Sequence, residues 1–324
     1  MHQHGQPTPV TAPNPYQPSR IFKNLPVTDE INTAFTDFLI QEKLPPSFLE
    51  KLHAYYLPLS HTVHSWQSAL GAPLILGING AQGTGKSTLA AALSLALEKI
   101  HKLRTTVISI DDLYLPRSDR QALSREIHPL LATRGVPGTH DVALGSRILA
   151  ELLAGNPCSI PRFDKSCDDR APESQWTRIE HPVDVIIFEG WCIGAMPESP
   201  AALTSPINDL EATEDPHAIW RTFVNDSLAG PYARLFSSIH KLVMLCPPGF
   251  ECIRDWRGEQ EEKLRQRFLS RGEALPSGVM NDEQLGRFIM HYERLTRWML
   301  REMPTRADVV FSMNSDRAII DSTP

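Results

Sequence analysis

One glycine-rich motif limits what this chain can fold into more than any other feature of the sequence. Residues 80–87 read Gly-Ala-Gln-Gly-Thr-Gly-Lys-Ser and match the pattern G-x-x-x-x-G-K-[ST]. The motif follows an apolar run at residues 73–78 and precedes a helical run that begins at Lys86. Glycines in such a loop permit the left-handed backbone that turns successive N–H groups toward an anion. The alternative, a glycine-rich turn that binds nothing, is disfavoured by this strand–loop–helix context.

This loop predicts a binding site for a nucleoside triphosphate. The positive end of the helix dipole faces the phosphates, Lys86 reaches the β- and γ-phosphates, and the Ser87 hydroxyl ligates Mg²⁺. The residues predicted to contact the nucleotide are Gly80, Ala81, Gln82, Gly83, Thr84, Gly85, Lys86, Ser87 and Thr88.

Strand and helix patterns alternate after the motif. Predicted strands lie at residues 73–78, 105–110, 183–188, 242–246 and 308–311. Helical patterns cover residues 86–101, 141–153, 219–236, 251–271 and 281–303. Such alternation is typical of a parallel sheet with right-handed crossovers, in which ligands bind beyond the carboxyl ends of the strands. We therefore predict an α/β fold: a three-layer α/β/α P-loop architecture with a five-stranded parallel sheet, an N-terminal helical addition and a helical lid.

The sequence divides into several parts around this sheet. Residues 1–20 are rich in Pro, Gln and His and predict a disordered tail. Helical periodicity runs from Thr28 to about Leu70, so residues 21–70 predict a helical extension, and the P-loop domain follows at residues 71–324. Within that domain, residues 112–182 form a long excursion between the second and third strands, and residues 197–216 predict an acidic surface insertion.

Composition excludes several classes of function. A formal net charge of −6 at pH 7 argues against a protein that binds nucleic acid through a basic excess. No apolar run reaches the roughly 18–20 residues of a membrane-spanning helix, and the N-terminal residues lack a secretory signal pattern. The 5 cysteines lack C-x-x-C spacing, which favours reduced thiols in a cytoplasmic protein over disulfides or a structural metal.

Carboxylates follow the second and third predicted strands. Asp111 and Asp112 end the second strand, and Glu189 ends the third. Asp111 can accept the proton of an attacking hydroxyl or hold a metal-bound water, and Glu189 can support Mg²⁺ through water. The plainer alternatives are a turn or helix cap for the aspartates and a surface strand end for Glu189. The guanine-specifying motif N-K-x-D of GTPases is absent from the sequence.

Four further segments make the pattern more specific. They are Ser-Ile-Asp-Asp-Leu-Tyr-Leu at 109–115, Arg-Gly-Val-Pro-Gly-Thr-His-Asp at 134–141, Pro-Arg-Phe-Asp-Lys-Ser at 161–166 and Phe-Glu-Gly-Trp at 188–191. Together they resemble the P-loop type of D-glycerate 3-kinase, the plant and fungal form with bacterial relatives, within the superfamily of uridine kinase, pantothenate kinase and phosphoribulokinase. The resemblance spans residues 73–311. It implies a kinase that uses ATP and Mg²⁺ to phosphorylate a hydroxyl of D-glycerate, giving 3-phosphoglycerate.

The resemblance also implies that the excursion between the second and third strands forms the acceptor site. A small anion such as glycerate needs cations for its carboxylate. The excursion offers the cationic candidates Arg134, His140, Arg162, Lys165 and Arg170. The predicted acceptor-site residues are Asp111, Tyr114, Arg134, His140, Arg162, Asp164 and Lys165. The open alternatives are a tight turn at 134–138, a solvated charged loop at 162–165, and a simple buried polar role for His140.

The segment 251–271 is rich in arginine and predicts a lid over ATP. Arg257 or Arg265 would stabilise the transferring phosphoryl group. Because Glu261 lies four residues from each of them, a solvated helix face with paired charges is the alternative. The apolar stripe of the last helix, which includes Phe288 and Tyr292, is assigned to the core.

The sequence thus predicts a cytoplasmic phosphotransferase with an alcohol group as acceptor and D-glycerate as its small anionic substrate. The predicted catalytic residues are Lys86, Asp111, Glu189, Arg257 and Arg265, and the predicted Mg²⁺ ligands, partly through water, are Ser87, Asp111 and Glu189. One alternative is a kinase for a nucleoside, pantothenate or a sugar phosphate. Another is a non-kinase P-loop ATPase or a partner-binding switch that docks through residues 197–216.

Overall fold

The computed structural model describes residues 29–270 and 280–323. The predicted tail at residues 1–20 lies outside this range, as do residues 21–28 of the predicted helical extension and Arg271 of the predicted lid. Among the described residues, no helix combines the length and the apolar character needed to cross a membrane.

Helices and strands alternate along the described chain. The helices are α1 (Asp29–Gln41), α2 (Phe48–Lys51), α3 (Leu57–Leu70), α4 (Lys86–His101), α5 (Arg117–Glu126), α6 (Val142–Leu153), α7 (Asp209–Glu214), α8 (Ile219–Ser227), α9 (Ala233–Phe236), α10 (Glu251–Leu269) and α11 (Asp282–Glu302). The strands are β1 (Leu74–Gly80), β2 (Thr105–Ser109), β3 (Cys158–Ile160), β4 (Phe163–Asp164), β5 (Asp169–Arg170), β6 (Thr177–Ile179), β7 (Val185–Gly190), β8 (Lys241–Cys246), β9 (Val309–Met313) and β10 (Ile319–Thr323). Short π-helical turns join α2 to α3 and α8 to α9.

The central sheet has six strands in the order β10-β9-β8-β1-β7-β2. The five strands from β9 to β2 pair in parallel, and β10 pairs antiparallel with β9 at one edge. The predicted α/β P-loop class is confirmed, and each of the five predicted strands is present. The predicted strand count is wrong because β10 was missed: its residues after Ile319 are half-buried or exposed, so it lacks the apolar run of a core strand.

Helices cover both faces of the sheet, which explains why β1 and β7 are buried along their whole length. On one face, α4 packs together with the N-terminal helices, and their side chains form a single apolar cluster with the sheet. Members of that cluster include Phe35 of α1 and Val63 of α3 beside Leu76 of β1. The N-terminal helices therefore share a core with the P-loop domain.

The strand order brings the predicted site residues to one edge of the sheet. β7 lies between β1 and β2, and Glu189 of β7 is paired in register with Ile78 of β1 and with Ser109 of β2. The loop after β1 and the residues after β2 therefore leave the sheet beside Glu189, at the carboxyl ends of parallel strands.

The excursion between β2 and β7 folds against this edge. It contains α5, α6 and two small antiparallel pairs, β3 with β6 and β4 with β5. The turn between β4 and β5 carries Lys165 toward the end of β2, and this turn forms one side of the cleft described below.

The acidic segment at residues 197–216 does not lie wholly on the surface. Three of its five carboxylates, those of Glu198, Glu211 and Asp215, are buried. Arg294 of α11 binds Glu198 at 3.1 Å and Glu211 at 2.6 Å, and Arg221 binds Asp215 at 2.9 Å. The prediction of an acidic surface insertion is wrong for these three residues, because Arg294, distant in sequence, and the nearby Arg221 neutralise them inside the fold.

Candidate active site

A cleft of about 450 Å³ opens at the carboxyl ends of β1, β2 and β7. The loop between β1 and α4 lines one side of the cleft. Gly83 and Gly85 have φ angles of 84° and 87°, a conformation that strains residues with a side chain. The first N–H groups of α4 have no partner within the helix, and they lie at the positive end of its dipole. The loop therefore has the backbone that phosphate binding requires.

Most of the predicted nucleotide-binding residues line this cleft. The lining residues of the loop are Gln82, Gly83, Gly85, Lys86, Ser87 and Thr88. Gly80, Ala81 and Thr84 are buried behind them, where the Thr84 hydroxyl donates to the Ala81 carbonyl at 2.8 Å. These three residues support the loop from behind and do not face the cleft.

Ser87 and Glu189 form the part of the site that suits a divalent cation. The Ser87 hydroxyl donates to Glu189 Oε1 at 3.0 Å, and Glu189 is buried. The other carboxylate oxygen, Oε2, is also buried and has no hydrogen-bond partner among the described residues. A buried carboxylate oxygen without a partner is costly unless a cation or water binds it. Hard oxygen donors of this kind fit Mg²⁺.

Asp111 lies across the cleft from Lys86 at the end of β2. Its carboxylate accepts from Lys165 Nζ at 2.7 Å and from the Tyr114 hydroxyl at 3.0 Å. Burial on its own raises the pKa of Asp111, but the charges of Lys165 and Lys86 and the hydrogen bond from Lys165 outweigh burial and lower the pKa to about 2. Asp111 is therefore ionised at neutral pH and can accept a hydrogen bond from an acceptor hydroxyl.

Arg134 contributes a second cation to the acceptor side of the cleft. It forms an ion pair with Asp168, and its guanidinium lies 5.4 Å from the centre of the Phe163 ring. Asp168 is also bound by the buried Arg120 at 3.0 Å, which fixes the position of this carboxylate. Among the described residues that line the cleft, four are cationic and one, Asp111, is acidic. The cleft therefore favours small anions.

Three other residues predicted for the acceptor site lie outside the cleft lining. Arg162 binds Asp112 at 3.0 Å and Thr177 at 3.0 Å, so it braces the excursion. Asp164 is exposed and accepts from the Ser166 hydroxyl at 2.6 Å within the turn between β4 and β5. These two residues stabilise the turn that carries Lys165.

His140 is the third predicted acceptor-site residue that lies outside the cleft lining. It is buried behind Tyr114, with the two rings stacked at 4.5 Å, and Nδ1 lies 2.6 Å from the Tyr232 hydroxyl. Burial lowers the pKa of His140 to about 3, although the negative charge of Asp111 acts in the opposite direction. His140 is thus a neutral residue that supports Tyr114 from behind.

We predict that His140 makes the folded protein less stable as the pH falls below about 6.5. Its pKa is about 3 in the folded chain, whereas an unfolded histidine binds a proton near pH 6.5. Between these values the unfolded state binds one more proton, so this residue lowers the free energy of unfolding by about 1.4 kcal/mol for each pH unit. Urea unfolding between about pH 7.5 and about pH 4.5 measures the slope.

The variant His140→Gln should reduce that slope by about 1.4 kcal/mol per pH unit. His53 is exposed on the N-terminal helices, so His53→Gln is the matched control and should leave the slope unchanged. Equal slopes in His140→Gln and the wild-type chain would contradict the buried, neutral state of His140.

The predicted lid helix places one of its two candidate arginines at the cleft. Arg257 of α10 lines the cleft and also pairs with the buried Glu261. The predicted pair exists, but it is not a solvated one because Glu261 is buried, and Arg257 also lines the cleft. The role of Arg257 at the transferring phosphoryl group stays a prediction. Arg265 does not line the cleft; it donates to the Met280 carbonyl at 3.1 Å and lies 3.6 Å from Glu262.

Three aromatic residues without a predicted site role also line the cleft. They are Trp191, Phe288 and Tyr292. Phe288 and Tyr292 belong to the apolar stripe of α11, and a helical stripe looks the same whether it faces a core or the floor of a cleft. Trp191 stands in the segment Phe-Glu-Gly-Trp, so its position two residues after Glu189 was the signal available.

Two proteins of known sequence are similar to this chain over most of its length. A protein of Schizosaccharomyces pombe described as "Uncharacterized kinase mug58" is 34% identical over 232 residues, which cover 68% of this chain and 79% of that protein. "D-glycerate 3-kinase, chloroplastic" of Arabidopsis thaliana is 32% identical over 262 residues, which cover 75% of this chain and 53% of that protein. This chain therefore spans about half the length of the Arabidopsis protein. No protein-family profile matches the chain.

A solved structure gives the same result for the fold. D-glycerate 3-kinase from Cryptococcus neoformans superposes with a TM-score of 0.68 and 27% sequence identity, covering 83% of this chain and 99% of that one. The resemblance inferred from the four sequence segments is confirmed by these matches.

Proposed function

The chain belongs to the P-loop kinase family that includes D-glycerate 3-kinase, and on that premise we propose that it transfers the γ-phosphate of ATP to a hydroxyl of D-glycerate, giving 3-phosphoglycerate. It is a small-molecule kinase, a phosphotransferase whose acceptor is a hydroxyl group. The choice of D-glycerate, the position of the transferred phosphate and the use of Mg²⁺ are the proposed parts. The cytoplasmic location stays a prediction.

One observation carries the proposal. A single cleft of about 450 Å³ holds a phosphate-binding loop on one side and Asp111, Lys165 and Arg134 on the other. A carboxylate in such a cleft attracts the proton of a hydroxyl, and a planar guanidinium can bind a carboxylate through two parallel hydrogen bonds. An acceptor with a hydroxyl and a carboxylate a few bonds apart, as in glycerate, satisfies both groups at once.

The side chains divide the reaction between them. Lys86 binds the γ-phosphate, Arg257 adds positive charge on the lid side, and Arg134 with Lys165 binds the carboxylate of the acceptor. The acceptor oxygen forms a bond to the γ-phosphorus while the bond from that phosphorus to its bridging oxygen breaks, and the proton of the hydroxyl passes to Asp111. Since Asp111 is ionised at neutral pH, it needs no prior proton loss.

Ser87 and Glu189 are the residues that would hold Mg²⁺, which would neutralise charge on the phosphates when bound. Glu189 Oε2 has no hydrogen-bond partner among the described residues, and Oε1 of the same carboxylate accepts from the Ser87 hydroxyl, which supports this assignment. Asp111, the third predicted metal residue, is already bound by Lys165 and Tyr114, so we assign it to the acceptor hydroxyl.

The test is a comparison of acceptors. ADP release is measured with D-glycerate, L-glycerate, uridine, pantothenate and ribulose 5-phosphate, each against a reaction without acceptor. We expect kcat/KM for D-glycerate to exceed that for uridine, pantothenate and ribulose 5-phosphate by about a hundredfold or more, because those acceptors leave Arg134 and Lys165 without a matching carboxylate near the reacting hydroxyl.

Two results would overturn the proposal. Turnover of uridine or pantothenate without turnover of D-glycerate would assign the chain a different acceptor. ADP release at one rate with every acceptor, and equally without any, would favour a P-loop ATPase that does not transfer phosphate to a small molecule.

A further inference from the structure

The loop that carries Arg134 is held by the polar tips of two buried aromatic residues. Trp191 Nε1 donates to the Gly135 carbonyl at 2.9 Å, and the Tyr292 hydroxyl donates to the Arg134 carbonyl at 3.2 Å. Both aromatic side chains also line the cleft. The backbone on which the Arg134 guanidinium is mounted is therefore fixed from inside the protein.

Gly135 allows the backbone of this loop to lie unusually close to the Tyr292 side chain. Its φ is 138°, and a Cβ added there would lie 2.0 Å from the Tyr292 hydroxyl oxygen and 2.6 Å from Tyr292 Cζ. The loop backbone can thus rest directly on the tyrosine ring only because residue 135 has no side chain. The same glycine donates its N–H to the Thr139 hydroxyl at 3.1 Å, which closes the loop on itself.

The two aromatic residues brace each other and the sheet. Their rings meet edge to face at 4.9 Å, and the Trp191 carbonyl accepts from Asn79 Nδ2 at 3.1 Å. Asn79 is a buried residue of β1, one position before the phosphate-binding loop. Arg134 is therefore connected through Trp191 to the strand that carries the phosphate-binding loop, while Tyr292 belongs to α11.

We infer that Tyr292 and Trp191 are positioning residues for Arg134: their hydrogen bonds to the Arg134 and Gly135 carbonyls set where the guanidinium enters the cleft, and so set the affinity for the acceptor. The inference rests on the proposed role of Arg134 in binding the acceptor carboxylate. Neither aromatic residue needs to touch the acceptor carboxylate for this effect.

The first experiment removes one hydroxyl. Tyr292→Phe keeps the ring and loses the hydrogen bond, so we expect KM for D-glycerate to rise about three- to tenfold while KM for ATP changes less than about twofold. Tyr55 also donates to a backbone carbonyl, that of Ile319 at 2.9 Å, far from the cleft. Tyr55→Phe is therefore the matched control and should change neither KM.

A double-mutant cycle separates positioning from general stability. Arg134→Ala should lower kcat/KM for the acceptor by about 10- to 100-fold, and in that background Tyr292→Phe should change the acceptor KM by less than about twofold. The inference would be overturned if Tyr292→Phe raised the acceptor KM by the same factor in the wild-type chain and in the Arg134→Ala variant. So would a parallel rise in KM for ATP and for the acceptor.

Trp191→Phe is the independent second variant, since it removes the other hydrogen bond. Its acceptor KM should rise by a similar factor of about three to ten. Trp298 donates to the Met196 carbonyl at 3.0 Å outside the cleft, so Trp298→Phe is its control and should leave both KM values unchanged. An unchanged acceptor KM in both Tyr292→Phe and Trp191→Phe would overturn the inference.

The results expected if the proposed function is wrong differ from those expected if only the inference about Tyr292 and Trp191 is wrong. If the wild-type chain ignores D-glycerate and phosphorylates another acceptor, the proposed substrate is wrong, and the same KM comparison on that acceptor decides the role of Tyr292. If the wild-type chain phosphorylates none of the acceptors, hydrogen exchange of the backbone amides at residues 134–136, 138 and 139 decides the role of Tyr292. Tyr292→Phe should speed that exchange about three- to tenfold, and unchanged exchange would overturn the inference.

Discussion

Replacing Lys86 with alanine is expected to lower kcat/KM for phosphoryl transfer by about 10²- to 10³-fold. Lys86 is the first residue of α4 and lines the cleft, where its ammonium offsets the charge that spreads over the γ-phosphate oxygens during transfer. The loss of one such preorganised donor costs about 2.7–4 kcal/mol of transition-state stabilisation in enzymes of other classes. Steady-state ADP release with D-glycerate measures the effect.

Lys99 provides the matched control for this experiment. It lies in the last turn of the same helix, it is exposed, and it is remote from the cleft. Lys99→Ala should therefore retain the wild-type kcat/KM within about twofold, in keeping with the small effects of surface substitutions. A Lys86→Ala enzyme with wild-type kcat/KM would show that the lysine of the glycine-rich loop does not contribute to phosphoryl transfer.

The variant Asp111→Asn is expected to lower kcat by about 10²- to 10⁴-fold. Asparagine has the same shape and can keep the hydrogen bond from Tyr114, but it cannot accept the proton of the acceptor hydroxyl. It also removes the negative charge that pairs with Lys165 at 2.7 Å, so KM for the acceptor changes as well. Single-turnover measurements with saturating ATP isolate the chemical step.

The neighbouring Asp112 tests whether the effect belongs to one carboxylate. Asp112 accepts from the Phe163 N–H at 3.1 Å and pairs with the half-exposed Arg162, and it does not line the cleft. Asp112→Asn keeps an oxygen for Phe163 and loses an exposed ion pair, so kcat should stay within about threefold of wild type. Equal losses in the two variants would contradict the assignment of Asp111 as proton acceptor.

The nucleotide side of the site could be predicted because its chemistry is local in sequence. The phosphate-binding loop lies within eight consecutive residues, from Gly80 to Ser87, and needs only its flanking strand and helix. Asp111 and Glu189 could also be predicted, because each directly follows a buried apolar run and the carboxyl ends of parallel strands meet at one edge. The structure brings Ser87 and Glu189 within hydrogen-bond distance, 3.0 Å.

The acceptor side was harder because cationic residues look alike in sequence. Arg134 and Lys165 face the cleft, whereas Arg162 pairs with Asp112 and His140 is buried behind Tyr114. These differences depend on partners that lie tens of residues away.

The burial of the acidic segment and the presence of β10 could not be predicted from local sequence either. Glu198 and Glu211 looked exposed because charge usually lies on a surface, but Arg294, more than eighty positions later, binds both of them inside the fold. β10 is the edge strand of the sheet, and only its first residue is buried. Its sequence therefore lacks the apolar run that predicts a core strand.

Identification of the product formed from D-glycerate decides whether this chain phosphorylates the hydroxyl at position 3 of glycerate. The enzyme, ATP, Mg²⁺ and D-glycerate are incubated, and the phosphorylated product is identified by phosphorus and proton NMR against authentic 2- and 3-phosphoglycerate, with Lys86→Ala as the control. We expect ADP and 3-phosphoglycerate in equal amounts with the wild-type chain, and only a slow residual formation of both products with the variant. Formation of 2-phosphoglycerate, or ADP accompanied by inorganic phosphate alone, would contradict it.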